Sequence, residues 1–318
     1  MTILANEQAV SDKIKDLVDV VPIEGFYDPK TFAALTRKIS FDHAFRDGFW
    51  LKTIERLFVL AQFAEKKGLN SFLHAELDQL LFRVDELVDR ILDSELRGLF
   101  FPFHTDNKGI ASVFFCNDVS ALESLLELVR TGDAFESEME LLAQWAALNP
   151  SLFQELPTIR NLVEGSSASV IDIDGIVDAA QVGQWVGGVD PRNTPLRQAP
   201  VTKFVDSVEP SLIGRDTLEK IRFSLGSEGA LYALLEGISE VKIYNLHIHS
   251  KIHGYLLRSD PFFSALLKSA NSDHGMHIPG ARLIQIRYYW SSRVSRLIRD
   301  PRSALRFVFQ RLRGYREN

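Results

Sequence analysis

The sequence predicts an α/β fold, and three observations carry that prediction. Short apolar runs with strand-like alternation precede longer runs in which apolar residues recur at helical spacing. Glycines and capping residues fall where the period changes. No internal repeat or low-complexity segment interrupts the pattern.

Phe49 to Lys67 reads as an amphipathic helix, with Trp50, Ile54, Leu57, Phe58, Ala61 and Ala64 crowding one side and Gly68 as its stop. Ser71 to Asp78 alternates like a strand. Leu80 to Leu92 then resumes a helical period, with Asp85, Glu86, Asp89 and Arg90 outward. A second strand, Ala111 to Cys116, enters a helix capped by Asn117 or Asp118 and carrying Leu122, Leu125, Leu126 and Val129. Glu136 to Leu148 is helical and Pro150 to Ala168 reads mostly as loop. Ala179 to Val186 is a short helix ended by Gly187-Gly188, and Val241 to Ile248 is the last clear strand.

The chain has 318 residues, 46% of them hydrophobic and 25% charged, with a net charge of −6. That composition excludes disorder, collagen and a disulfide scaffold. No window reaches the roughly 18 uncharged apolar residues of a membrane span, and the first ten residues lack a signal-peptide layout, so a cytoplasmic protein is expected. Cys116 is the only cysteine. It rules out a thiolate metal cage, leaving His, Asp and Glu as ligands. Residues 281–318 hold ten Arg against Asp300 and Glu317, a charge of 10 − 2 = +8, so the rest of the chain carries −6 − 8 = −14. An acidic body disfavours nucleic acid as a partner.

Two strands have polar faces. Alternation puts Phe72, His74, Glu76 and Asp78 on one side of the first. Carboxylates at i and i+2 at a strand's end can hold one hard divalent cation; an edge strand with a solvated face has the same pattern. The second strand sets Asn245, His247, His249 and Lys251 on one face. Imidazole ligates manganese-like ions and a lysine can hold a phosphate, while a structural histidine is the plainer reading. Asp172 and Asp174 in I-D-I-D-G share the carboxylate spacing but precede Gly175, which favours a turn.

The segments F-W-L-K-T-I-E-R-L-F-V-L, F-L-H-A-E-L-D-Q-L-L, G-I-A-S-V-F-F, G-I-V-D-A-A-Q-V-G-Q-W-V-G-G-V-D-P-R-N and N-L-H-I-H-S-K, over residues 1–255, resemble bacterial and viral glycosyltransferase-like proteins of the GT-A, nucleotide-diphospho-sugar transferase type. The resemblance implies a Rossmann-type mixed sheet flanked by helices, with residues 256–318 as a basic helical extension. It also implies a nucleotide-sugar donor, a glycan or lipid-linked acceptor, and a Mn2+ or Mg2+ ion. Glu76 and Asp78 match the acidic motif, with Glu76 in place of the more usual Asp, and His249 or His247 completes the metal set. Lys251 looks like a diphosphate contact and Arg56 like the basic residue facing the donor phosphates; the bland reading of Arg56 is a salt bridge with Glu55 or Glu65. Ser112 falls on the strand expected to touch the donor sugar. Asp178 and Gln181 match donor-sugar or acceptor contacts, or simply cap a helix. Asp178 or Asp190 would serve as the acceptor's base, with Gly187, Gly188, Pro191 and Asn193 in a loop near the acceptor. T-I-L-A-N-E-Q looks like the second strand of such a domain, so the strand and helix that usually cradle the base are expected to be missing.

Two rival readings remain: a metal-dependent hydrolase, which also uses His and carboxylates, and a non-catalytic carbohydrate-binding or scaffold descendant. The tail adds a further expectation. Asp300-Pro301 can start a helix bearing Leu305, Val308, Phe309 and Leu312 among Arg302, Arg306 and Arg313, suited to an anionic membrane surface or to the acidic body.

Overall fold

The computed structural model of the chain describes residues 2–5, 19–37, 48–132, 135–164, 173–187, 220–226, 229–234 and 240–248. They form two units, one drawn from Met1–Leu77 and Arg83–Ala179, the other from Asp78–Phe82 and Ala180–Asn318. The expected boundary at residues 255 and 256 and the basic tail lie outside the described residues.

The first unit begins with β1 (Thr2–Ala5) and β2 (Asp19–Pro22), paired in parallel from Thr2↔Asp19 to Ala5↔Pro22. Helix α1 (Pro29–Leu35) is capped by Asp28, whose carboxylate accepts from the Lys30 N–H at 3.0 Å. Helix α2 spans Phe49–Lys67, the bounds its apolar side predicts, and buries Ile54, Leu57, Phe58, Ala61 and Ala64. Gly68 ends it at φ 61°, a left-handed conformation that suits a residue without Cβ, and its N–H returns to the carbonyls of Ala64 and Glu65.

Strand β3 (Phe72–Ala75) follows. The expected helix from Leu80 is instead β4 (Gln79–Leu81), a strand of the second unit, and then α3 (Val84–Asp93). The first unit continues with β5 (Leu99–Thr105), β6 (Lys108–Gly109), β7 (Val113–Cys116), α4 (Val119–Thr131) and α5 (Glu138–Leu148). Asp118 caps α4 by accepting from the Ser120 N–H at 3.0 Å, and Ser137 caps α5. Where a loop is expected after Pro150, β8 (Phe153–Leu156) and α6 (Ile159–Glu164) form, followed by β9 (Gly175–Ile176).

The sheet is mixed, in a mixed α/β chain. β7 runs antiparallel to both β3 and β5, while β5 and β8 are parallel. Connection length explains this. Only residues 106–112 separate β5 from β7, too few for a crossover, whereas β7, α4 and α5 together form the long connection between β5 and its parallel neighbour β8. The result is not the plain Rossmann arrangement the resemblance implies. Its core combines Phe101, Phe103 and Phe153 with Trp145 of α5, whose indole N–H donates to the Ser124 hydroxyl at 2.7 Å.

Two residues fix the entry to β5. Gly98 sits at φ 124°, and a Cβ there would stand 1.8 Å from the Leu152 carbonyl oxygen, the acceptor of the Leu99 N–H at 2.8 Å. Asn117, at the exit of β7, accepts from the Gly98 N–H at 2.9 Å and donates to the Leu96 carbonyl at 2.7 Å.

In the second unit, β10 (Arg222–Leu225), β11 (Leu231–Leu234) and β12 (Val241–Ile243) form an antiparallel series. The single strand expected over Val241 to Ile248 is divided at the fully buried Tyr244, and its second half, β13 (Asn245–His247), pairs antiparallel with β4. Helix α7 (Val182–Gly187), three residues later in its start than expected, packs beside β13. Among the described residues, no helix is long and apolar enough to cross a membrane.

Candidate metal centre

The pairing of β4 with β13 sets the geometry of the site. Its register is Asn245↔Leu81, Leu246↔Leu80 and His247↔Gln79. The ladder is closed at one end by the Phe82 N–H donating to the Tyr244 carbonyl at 2.8 Å, and at the other by the Ile248 N–H donating to the Asp78 carbonyl at 2.9 Å. Across it, the Asn245 amide donates to Gln79 Oε1 at 2.7 Å. Leu246, Ile248 and Asn245 are fully buried, so the ladder is anchored in apolar surroundings while its polar end carries Asp78 and His247.

Asp78 Oδ1 lies 3.3 Å from His247 Nε2. Glu76 precedes Asp78 by two positions, and Glu76, Asp78 and His247 each offer one ligand atom, all within 4.8 Å of one another. The donor set is two carboxylate oxygens and one imidazole nitrogen, which suits Mn2+ or Mg2+ better than a soft ion. The observed 3.3 Å is close to the edge of about 3 Å expected between neighbouring ligands of an octahedral ion bound at about 2.1 Å. The histidine beside Asp78 is thus His247; His249, the other option, lies outside the described residues, as do Lys251 and Asp190.

Glu76 also belongs to a charged cluster of the first unit. Its N–H donates to the Ser112 carbonyl at 2.8 Å, extending the β3–β7 ladder by one step. Its carboxylate pairs with the Arg56 guanidinium from α2. Arg56 Nη2 donates to both carboxylate oxygens of Glu138, at 2.8 and 3.1 Å. The partners of Arg56 are therefore Glu76 and Glu138, neither of them the Glu55 or Glu65 of the bland reading. Glu55 pairs instead with Lys52. Glu138 was not among the expected site residues; it opens α5, where an acidic residue is an ordinary helix-start feature and gives no separate signal.

Ser112 is buried, with its hydroxyl oxygen out of reach of any hydrogen-bond partner among the described residues. His74, on the same strand face as Glu76, packs on Phe114 with ring centroids 5.1 Å apart. Burial, with the positive charge of Arg56 second, holds its imidazole well below the usual histidine range. Burial likewise pushes the Cys116 thiol up to about 12, which leaves it a poor nucleophile.

Asp178 and Gln181 are both buried, but neither lies inside a helix: α7 begins at Val182, after Ala180 at φ 65°. Asp178 follows Val177, whose N–H donates to the Pro157 carbonyl at 2.8 Å, and precedes Ala179, whose carbonyl is 3.0 Å from His104 Nδ1. Of the rival carboxylates, Asp174 sits exposed at a bend before β9, in keeping with turn chemistry, and Asp172 lies outside the described residues.

A comparison with protein-family models gives no match to this chain, and a comparison with curated proteins gives none.

Proposed function

We propose that the chain binds a divalent cation through Asp78, His247 and Glu76 and acts as a metal-dependent glycosyltransferase, moving a sugar from a nucleotide-sugar donor to a glycan or lipid-linked acceptor. The observation that carries this reading is the meeting of Asp78 and His247 at 3.3 Å across the β4–β13 ladder, since these residue types come from distant parts of the chain and supply the donor set the chemistry needs.

Glycosyl transfer builds negative charge on the departing nucleoside diphosphate. A bound divalent cation would supply Lewis-acid compensation for that charge. Asp78 and His247 hold their ligand atoms from a strand pair closed by backbone hydrogen bonds, so the donor set needs little reorganisation. Glu76 adds a third ligand atom, a carboxylate oxygen. Lys251 is assigned to the diphosphate, and Ser112 and Gln181 to the donor sugar. Asp178 or Asp190 is assigned to take the acceptor proton. With the tail as an amphipathic anchor, a peripheral position at an anionic membrane would bring a lipid-linked acceptor within reach.

The test is incubation of the full chain with a panel of nucleotide sugars and Mn2+, reading release of the nucleoside diphosphate. Metal-dependent release that is lost in Asp78→Ala supports the reading. Turnover of simple esters without any nucleotide would replace transfer by hydrolysis, and absence of both activities in a chain that binds sugars would favour a non-catalytic binding protein.

A further inference from the structure

The register of the β3–β7 ladder runs from Phe72↔Cys116 through His74↔Phe114 to Ala75↔Val113, and the bond from the Glu76 N–H to the Ser112 carbonyl carries it one pair further. Residues opposite each other, or two apart along a strand, point to the same side of a sheet. His74, Glu76, Phe114 and Ser112 therefore share one face. Arg56 of α2 reaches that face, because its guanidinium pairs with the Glu76 carboxylate. All of these residues belong to the first unit.

Arg56, His74 and Ser112 each contribute a buried polar atom without a hydrogen-bond partner among the described residues: Arg56 Nε, His74 Nε2 and Ser112 Oγ. Ser112 as a whole is 4% exposed. A buried polar atom without a partner bears its full desolvation cost, so three on one face are unfavourable unless something bonds them. Their chemistry selects what does. The Nε–H only donates, a hydroxyl donates and accepts, and an imidazole nitrogen does one or the other according to the tautomer. A cation would face the Nε–H, which is a donor. An anion would face Glu76 and Glu138, the two carboxylates already paired with the guanidinium. A water meets all three atoms, with the three bonds typical of a buried water. One oxygen at about 2.8 Å from each can bridge atoms up to about 5.6 Å apart, comparable to the spacing of neighbouring side chains on one face of a strand pair.

We propose that Arg56 Nε, His74 Nε2 and Ser112 Oγ together bind one internal water, which ties helix α2 to the β3–β7 strand pair. The inference is independent of the metal reading given above: the site lies within the first unit and uses no atom of Asp78 or His247. Nor does the water exhaust Ser112, since a hydroxyl offers one donor and two acceptor positions.

The experiment is a crystal structure of the full chain at a resolution that shows ordered waters, with a second crystal soaked in bromide. A single oxygen peak should stand about 2.7–3.2 Å from each of Arg56 Nε, His74 Nε2 and Ser112 Oγ. No peak there, or a peak within that range of fewer than three of the atoms, overturns the proposal. So does anomalous bromide signal at the same position, which would mark an anion site. In the same crystal form, Ser112→Val puts a methyl group where the hydroxyl stands and should abolish the peak. A peak that survives that substitution unchanged shows that Ser112 is no partner, and the proposal falls. Should the variant fail to fold, the parent crystal decides alone.

Discussion

Asp78 Oδ1 and His247 Nε2 are 3.3 Å apart because the backbones that carry them are hydrogen-bonded: the Ile248 N–H donates to the Asp78 carbonyl. The side-chain pair therefore inherits the precision of a strand ladder.

Asp78→Ala should remove metal-dependent nucleoside diphosphate binding, whereas Asp174→Ala, at an exposed bend, should leave it nearly unchanged. Calorimetric titration of both variants with Mn2+ and a nucleoside diphosphate reads the difference directly. Equal effects would mean that the wrong carboxylate carries the site.

Asn117→Ala should destabilise the first unit by about 2–3 kcal/mol, since it removes two hydrogen bonds and leaves the buried Gly98 N–H and the Leu96 carbonyl unsatisfied. Urea unfolding followed by fluorescence would register the loss. Asn117→Asp should cost less, because the carboxylate can still accept from Gly98.

How far the sequence reveals the fold depends on whether the deciding interactions are local. Helix α2 is legible at both ends because its apolar side and Gly68 are local signals, and Asp118 announces α4 in the same way. Strand β5 gives no expectation. Leu99, Phe100 and Phe101 are buried on both faces between β7 and β8, so the run has no alternation to read, and Pro102 within it argues against a strand. Three-residue β4 is masked by helical spacing that continues into α3, and its partner β13 lies far along the chain. Within the site, Glu76, Asp78 and His247 stand out as polar residues in apolar strands. Glu138 does not, because its partner Arg56 is on another helix.

The buried imidazole of His74 should make stability depend on pH. His74 is held below its ordinary value of 6.5 in the fold, so the unfolded chain binds more protons between the two values. Its contribution is complete above pH 6.5 and is lost as pH falls below it toward the folded value, by at most about 1.4 kcal/mol per pH unit. Unfolding midpoints between pH 7.5 and 5 should therefore fall less steeply in His74→Gln than in the parent chain. An identical slope in the two would remove His74 as the source.

The most direct measurement is anomalous scattering at the manganese edge from crystals of the full chain soaked in Mn2+ and a nucleoside diphosphate. An ion bound as described gives a peak at about 2.1–2.3 Å from both Asp78 and His247, with diphosphate density against it. A crystal that binds the nucleotide with no peak between Asp78 and His247, or with its peak on other residues, contradicts the account.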